Sequence, residues 1–309
     1  LIVIPALPVV FISGLLASAA GCFGVMPGKL LVFPAFAVLK LYEVLCSLVM
    51  KLPGASVITG APDGYRIFLF YAVMSGFWVA FSLKKRAIEC GSKEKGQILY
   101  SVQRAVCTAV LLAILLVKPK TAAQLDILDV GQGDGILVET PDNHHFLIDG
   151  GSSSQSDLGR YCLLPALKSQ GISYLDGLFI SHTDKDHISG AKELLEYMGN
   201  GLTTIRAGYL VLPSWAEKPE AWEELSDAAQ KAGIKIVTGK KGDELHCGLV
   251  SFSILWPEKN ATGKDVNEEA MVMELSFGEF QMLFTGDIGA DTEKKLLASG
   301  ILKDVDCLK

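Results

Sequence analysis

Ser181–His182–Thr183–Asp184–Lys185–Asp186–His187 follows Leu175 to Ile180, a stretch that reads as a buried strand. Two imidazoles and two carboxylates therefore crowd into six positions at the mouth of a turn. Buried charges are costly unless they are paired or bound to a metal, so this density of ionisable groups points to a metal centre at a strand end. His182 and Asp184 alternate at i and i+2 and in an extended turn point the same way. Asp186 and His187 follow and can hold a second ion from the other side. An Asp-rich surface turn with two chance histidines is the competing reading, but the chain has only five histidines in all. Zinc accepts histidine nitrogen and aspartate oxygen, and manganese tolerates a carboxylate-rich set. Two divalent ions, zinc or manganese, are the expected cofactors.

Outward from this run, residues after Pro119 alternate short apolar runs with Gly and Asp. Leu125–Val130, Gly135–Thr140 and His145–Asp149 read as three successive strands with tight connections. Asp157 to Ser169 has helical spacing with Gly171 as its stop, and Ala191 to Met198 is expected as a helix behind the motif. Gly208–Leu212, Ile234–Val237, Leu249–Leu255, Ala270–Phe277 and Gln281–Phe284 are further strands, and Val305–Leu308 begins another. Pro219–Ala232 and Asp291–Ala298 are helical. By residue pattern alone this is a mixed sheet covered by helices. The strand at the chain end has no turn to finish it, which leads to the expectation that the chain is a C-terminally truncated fragment.

Several other acids stand beside glycines at strand ends. Asp287, after Thr285–Gly286, is placed to bridge two ions. Asp129, Gln132 and Asp134 flank Gly131 and Gly133 and are candidates to line the site, though a Gly/Asp turn also explains them. Asp149, before Gly150–Gly151, is expected to support His182 or Asp186 from behind. His144 and His145 adjoin a hairpin turn and are not expected to be ligands.

The first 120 residues are different. Leu1–Met26, Leu30–Met50, Ile67–Leu83 and Ile98–Val117 are four long apolar stretches in a chain whose mean hydropathy is +0.36. Each approaches the length needed to cross a bilayer, and no signal-peptide pattern fits the repetition. Lys40 and Glu43 lie three apart on one face of the second stretch, so they are expected to pair and to face protein or water. The connection from Lys84 to Lys95 is the most basic and is expected in the cytoplasm. Four crossings then put residues 121–309 outside. Residues 1–120 carry 12 Lys or Arg against 4 Asp or Glu, a net of +8, whereas the remainder carries −14. That acidity disfavours a broad nucleic-acid face, except where a metal inverts the local field. The seven cysteines form no Cys-x-x-Cys pair, which argues against a finger-type zinc site.

Leu128–Asp129–Val130–Gly131–Gln132–Gly133–Asp134–Gly135, Leu147–Ile148–Asp149–Gly150–Gly151, His182-x-Asp184-x-Asp186–His187, Asn267 and Thr285–Gly286–Asp287 together resemble the metallo-beta-lactamase superfamily. With the membrane stretches upstream, the resemblance is closest to the DNA-internalisation competence family, the ComEC type. It implies transmembrane helices (about four, residues 1–120) followed by an α/β metallo-beta-lactamase-like αββα sandwich, residues 121–309, incomplete at its C-terminus. It further implies His182 and Asp184 on one metal, Asp186 and His187 on the other, and Asp287 bridging, with Asp186 or Asp287 positioning the attacking hydroxide. The implied protein is a multi-pass cell-membrane component of DNA uptake in transformation. Its extracytoplasmic hydrolase domain would cut the strand left outside. DNA, the lipid bilayer, other DNA-uptake proteins and a second copy of the chain are its implied partners. Two departures stand out: Asp184 and Ala270 replace the common His and Ser. The family's His–His–Gly–Ser segment, a further ligand source, would follow Lys309, so the fragment itself is expected to be inactive. A transport component with an inactive docking domain, and a membrane-tethered hydrolase of small esters or amides, are the alternatives.

Overall fold

The computed structural model describes residues 4–50, 52, 54–89, 93–116, 122–214, 219–258, 267 and 270–309. The centre of the basic 84–95 connection, with Cys90, and the chain from 117 to 121 at the expected domain boundary lie outside the described residues. By internal contacts the chain forms two compact units, Leu1–Val57 and Ile58–Lys309.

The first unit is a helical hairpin, α1 (Leu7–Gly21) against α2 (Val25–Met50). Small residues let the backbones approach. A Cβ on Gly28 would lie 3.2 Å from the Gly21 Cα and 3.3 Å from the Ala17 carbonyl, the close packing that stabilises helices where lipid removes the hydrophobic drive. Most of the large apolar side chains here face outward, Phe11, Leu15, Phe33 and Phe36 among them. Lys40 and Glu43 do pair, Nζ to Oε2 at 2.7 Å, on the exposed surface of α2.

The second unit opens with α3 (Gly64–Glu89) and α4 (Lys93–Leu116). Arg66, buried in the first turn of α3, donates through Nε (2.9 Å) and Nη2 (2.5 Å) to the carbonyl of Ile114. That carbonyl belongs to the last turn of α4, where the helix has no partner of its own for it and favours a cation. Among the described residues three helical spans are long and apolar enough to cross a membrane: Ile4–Gly21, Val25–Met50 and Gly64–Ser82. The apolar part of α4, Ser101–Leu116, is shorter. At about 1.5 Å per residue it falls several Å short of a hydrocarbon core about 30 Å thick.

The rest is an αββα sandwich. Strands β1 (Gln124–Ile127), β2 (Ile136–Glu139), β3 (His145–Ile148), β4 (Tyr174–Phe179), β5 (Arg206–Pro213) and β6 (Lys235–Gly239) form one sheet in that order. Its first two pairings are antiparallel and the remainder parallel. The second sheet runs β11 (Cys307–Leu308), β10 (Phe280–Phe284), β9 (Val272–Phe277), β8 (Val250–Trp256), β7 (Glu244–Cys247), antiparallel except for β10 with β11. The residue pattern pointed to one mixed sheet; the strands divide over two because both faces of the first sheet are apolar. Leu137, Leu147, Leu178, Leu210 and Leu212 pack on one side against α5 (Leu164–Gln170), α6 (Lys185–Gly199) and α7 (Pro219–Lys231). Their neighbours Ile136, Val138, Phe146, Ile148, Phe179 and Val211 meet Phe252, Ile254, Met273 and Phe284 of the second sheet, as period-two alternation requires. Phe252 anchors this layer, its ring centroid 4.9 Å from Phe146 and 4.5 Å from Phe179. Helix α8 (Ala290–Ser299) covers the outer face through Leu296 on Trp256, Val272 and Leu283.

Three local expectations change. The helix expected from Asp157 starts later, as a π-helical turn at Gly159–Leu163 that runs into α5, because Asp157 sits at φ 53 outside helical space. It ends as expected at Gly171, φ 74. Helix α6 begins at Lys185 rather than Ala191, with extended Asp184 as its N-cap, so Asp186 and His187 ride on its first turn. Strand β7 was not expected. Its alternation of exposed and half-buried residues belongs to a polar edge strand, which apolar patterning does not detect.

The Lys40–Glu43 pair generates a test. Removing one partner leaves an unpaired charge on α2, worth about 2.5–3.5 kcal/mol at mid-membrane. Lys40→Met or Glu43→Met alone is expected to lower the amount of chain recovered in membranes more than the double substitution does. Equal recovery of the singles and the double would contradict the pairing argument.

Candidate metal centre

Strand ends build the site. Register Ile148↔Phe179 between parallel β3 and β4 places Asp149 beside the start of the 181–187 run. Asp149 is buried and adopts φ 56, a left-handed conformation uncommon outside glycine. Its Oδ1 accepts the Ser181 amide at 2.7 Å; its Oδ2 accepts the Ser181 hydroxyl at 2.8 Å and stands 3.0 Å from His187 Nδ1. Burial pushes the Asp149 carboxyl up, but hydrogen bonds from His187 and Ser181 outweigh it and hold the group below the ordinary carboxylate range.

These bonds orient both histidines. Because Ser181 gives its proton to Asp149, its oxygen accepts from His182 Nδ1 at 3.0 Å. His187 Nδ1 faces Asp149 directly. Each ring is thereby left with Nε2 turned toward the opening, the support that ligating histidines require. His187 Nε2 lies 3.2 Å from Asp287 Oδ2, and His182 Nε2 lies 3.7 Å from Asp184 Oδ2. The two rings are 4.0 Å apart at their centroids. His187 also has Asp134 Oδ2 3.4 Å from its Nδ1. Burial lowers its basicity, yet Asp149, Asp287 and Asp134 together raise the pKa to about 9. His182, buried beside a charged His187, is shifted down. The field that holds a proton on His187 is the field that attracts a divalent cation.

The residues fit such an ion. His182, His187 and Asp287 offer ligand atoms within 4.8 Å of one another, as do Asp134, Asp149 and His187. The second group is already joined by the His187–Asp149 hydrogen bond and acts as a support for the first. Asp184 adds its carboxylate beside His182. Asp186 joins neither group: its carbonyl accepts the Asp134 amide at 3.1 Å, tying α6 to the loop after β1. Gln132 is exposed, and its backbone carbonyl accepts from the amide of Ser153. The Asp129 carbonyl faces the Cys162 thiol at 3.7 Å. Gly151 is required here, since a Cβ on it would lie 2.4 Å from the His187 amide nitrogen.

Two site groups were not anticipated. Ser181 adjoins the motif and is the hub between Asp149 and His182. Lys309 follows β11, and its backbone continues the pairing with β10 (Lys309 amide to Leu283 carbonyl, 3.0 Å). Its ammonium forms an ion pair with Asp134 and stands 3.6 Å from Asp287 Oδ1. A lysine far from any motif carries no sequence signal of this role.

The model of the metallo-beta-lactamase superfamily matches residues 128–306. The chain belongs to this superfamily. Three curated relatives extend the likeness. ComE operon protein 3 of Bacillus subtilis is 29% identical over 204 residues, covering 62% of this chain and 25% of the relative. Recombination protein 2 of Haemophilus influenzae is 30% identical over 190 residues, 61% and 21%. Competence protein ComA of Neisseria gonorrhoeae is 26% identical over 179 residues, 58% and 22%. The chain thus spans about a quarter or less of these relatives, and it is homologous to competence-associated proteins.

The Asp149–His187 pair makes stability depend on pH in metal-free protein. Asp149 has a depressed folded pKa, so its contribution is present above the unfolded value near 3.8 and lost as pH falls through the folded one. His187 has a raised pKa, so its contribution is full below 6.5 and lost as pH rises through about 9. With chelator present, Asp149→Asn is expected to lower Tm most between about pH 5 and 6.5, with the gap shrinking toward pH 9. Thermal melts across that range check it, and a gap that widens above pH 9 contradicts it.

Proposed function

We propose that residues 1–120 anchor the protein in the cell membrane and that residues 121–309 form an extracytoplasmic, metal-dependent hydrolase domain of a ComEC-type DNA-uptake protein. The domain's substrate is the phosphodiester backbone of the DNA strand that is not transported. The convergence of His182, His187 and Asp287 at the strand ends of a metallo-beta-lactamase sandwich carries this reading. The homology to competence-associated proteins supplies its substrate, and the apolar helices supply its membrane setting.

Divalent zinc or manganese held there would supply Lewis acidity and a water acidified enough to attack at neutral pH. The chain's own groups do the rest. His182 and His187 bind through Nε2, with Asp184 beside the first and Asp287 beside the second. Asp149, directly and through Ser181, fixes which nitrogen of each ring carries its proton. Asp287, the most exposed of these acids, faces the opening and orients the attacking water. Lys309 lends positive charge between Asp134 and Asp287, where a phosphoryl oxygen gains from it.

In protein that carries the expected His–His–Gly–Ser segment, Asp287→Ala and His182→Ala are each expected to reduce metal-dependent DNA cleavage by about a hundredfold or more, while His246→Ala, on an exposed strand position, leaves it unchanged. Cleavage of labelled DNA with manganese or zinc, against a chelated control, measures this. The acidity of residues 121–309 favours a second reading, a hydrolase of small esters or amides. Turnover of such substrates with no attack on DNA would establish it, and neither activity together with no metal uptake would leave a docking domain. Topology has its own test. With Ser214→Cys as the single cysteine, an impermeant thiol reagent is expected to label intact cells. Labelling only after permeabilisation would mean that α4 does not cross and that the domain is cytoplasmic.

A further inference from the structure

At the opposite end of the sandwich from the metal centre, three chain segments bring His144, Asp176 and Cys247 together. His144 precedes β3, Asp176 lies early in β4, and Cys247 ends β7 on the other sheet. His144 Nδ1 is 2.8 Å from Asp176 Oδ1 and 3.3 Å from Cys247 Sγ, and that sulfur is 3.8 Å from the same carboxylate oxygen. His144, which adjoins a hairpin turn and was not expected to be a ligand, thus stands beside both a carboxylate and a thiol.

Asp176 and the thiol do not make a nucleophile–base–orienter relay, in which thiol and carboxylate use opposite ring nitrogens, and Asp142, on the Nε2 side, stands 3.8 Å away, beyond hydrogen-bond reach. Here Asp176 and the thiol both face Nδ1, so three donor atoms converge on one point. Around a tetrahedral zinc ion, sulfur would stand about 3.6 Å from the other donors, and nitrogen and oxygen about 3.4 Å apart. The sulfur distances agree to within about 0.3 Å, and the His144–Asp176 contact need open by only about 0.6 Å. The groups are held from behind: Asp176 Oδ2 accepts the His145 amide at 2.8 Å, leaving Oδ1 for the cluster. His144 Nε2 faces Asp142 Oδ2 at 3.8 Å, on the side where a ligating imidazole keeps its proton. The clasp between sheets is tight. Gly248, at φ 58, has no room for a Cβ, which would lie 2.0 Å from Asp142 Oδ2, and the Leu249 amide donates to that oxygen at 2.9 Å. A cavity of about 360 Å³, lined by Asp176, Cys247, Tyr174 and Tyr209, opens beside the cluster and admits an ion with a water as fourth ligand.

We propose that His144, Asp176 and Cys247 form a second metal site, separate from the hydrolytic centre, that takes zinc or another thiolate-seeking divalent cation. Imidazole, carboxylate and thiolate with one open position is a zinc donor set. A bound ion would pin the β2–β3 hairpin of one sheet to the edge strand of the other. The proposal is independent of the hydrolase reading.

Cobalt distinguishes the sites, because only this one offers sulfur, and a cobalt–thiolate bond absorbs in the near ultraviolet. The full chain in detergent, reduced and metal-free, is titrated with Co²⁺. One equivalent of thiolate band is expected in the unaltered protein and equally in His182→Ala, where the first centre is impaired. Cys247→Ala should erase the band while circular dichroism stays native. Asp176→Asn, which keeps the thiol and the size of the side chain, should weaken binding at least tenfold. Zinc should raise the Tm of His182→Ala but not of the His182→Ala, Cys247→Ala double variant. No band in the unaltered protein, a band that survives Cys247→Ala, or unchanged affinity in Asp176→Asn would overturn the proposal.

Discussion

A carboxylate without water must be surrounded by donors, and the buried Asp149 side chain meets that requirement in a way that organises everything near it. Its two oxygens take the Ser181 amide, the Ser181 hydroxyl and the His187 ring. Left unpaired, such a charge would cost several kcal/mol. Satisfying it fixes the loop after β4, the first turn of α6 and the proton positions of two imidazoles together. The left-handed backbone at Asp149 is strain of the sort that accumulates at functional sites, held in place by sheet register on both sides.

Much of the sandwich could be read in advance because its strands are marked twice, by apolar alternation and by Gly/Asp punctuation at their ends. The 181–187 run was legible from its composition: two imidazoles and two carboxylates after a buried strand have few uses. What escaped was set by tertiary pairing. The strand Glu244–Cys247 is polar on its outer face, so its existence depends on β8 lying beside it. Asp176 interrupts an apolar strand with a carboxylate whose partners, His144 and Cys247, come from two distant segments. Lys309 acquires its place through a two-residue parallel pairing with β10, a contact with no pattern in either segment. The start of α6 was misjudged because Asp184 and Asp186 look like turn residues, yet an N-cap and a first-turn acid are where a helix prefers them.

The membrane helices obey a different logic. In α1 and α2 the inward positions are the small ones, Ser13, Ala17 and Ala35, and the outward ones are large and apolar, the reverse of the sandwich. Arg66 shows how a charge is accommodated at the edge of this region, by taking a helix-terminal carbonyl as its partner. One chain thus carries two solvents' rules, and the sign of its net charge changes between them, +8 over residues 1–120 and −14 after.

The candidate metal centre also draws together parts of the chain that lie far apart in sequence. His187 meets Asp287 one hundred residues away, and Lys309 meets Asp134 across 175. A ribosome releases these parts in order, so both histidines emerge well before the acid and the lysine that complete their surroundings. Because a domain generally folds as a unit, the two histidines and Asp149 wait for the last strands before the cluster closes. Synthesis therefore holds its halves apart until nearly the whole domain has been made.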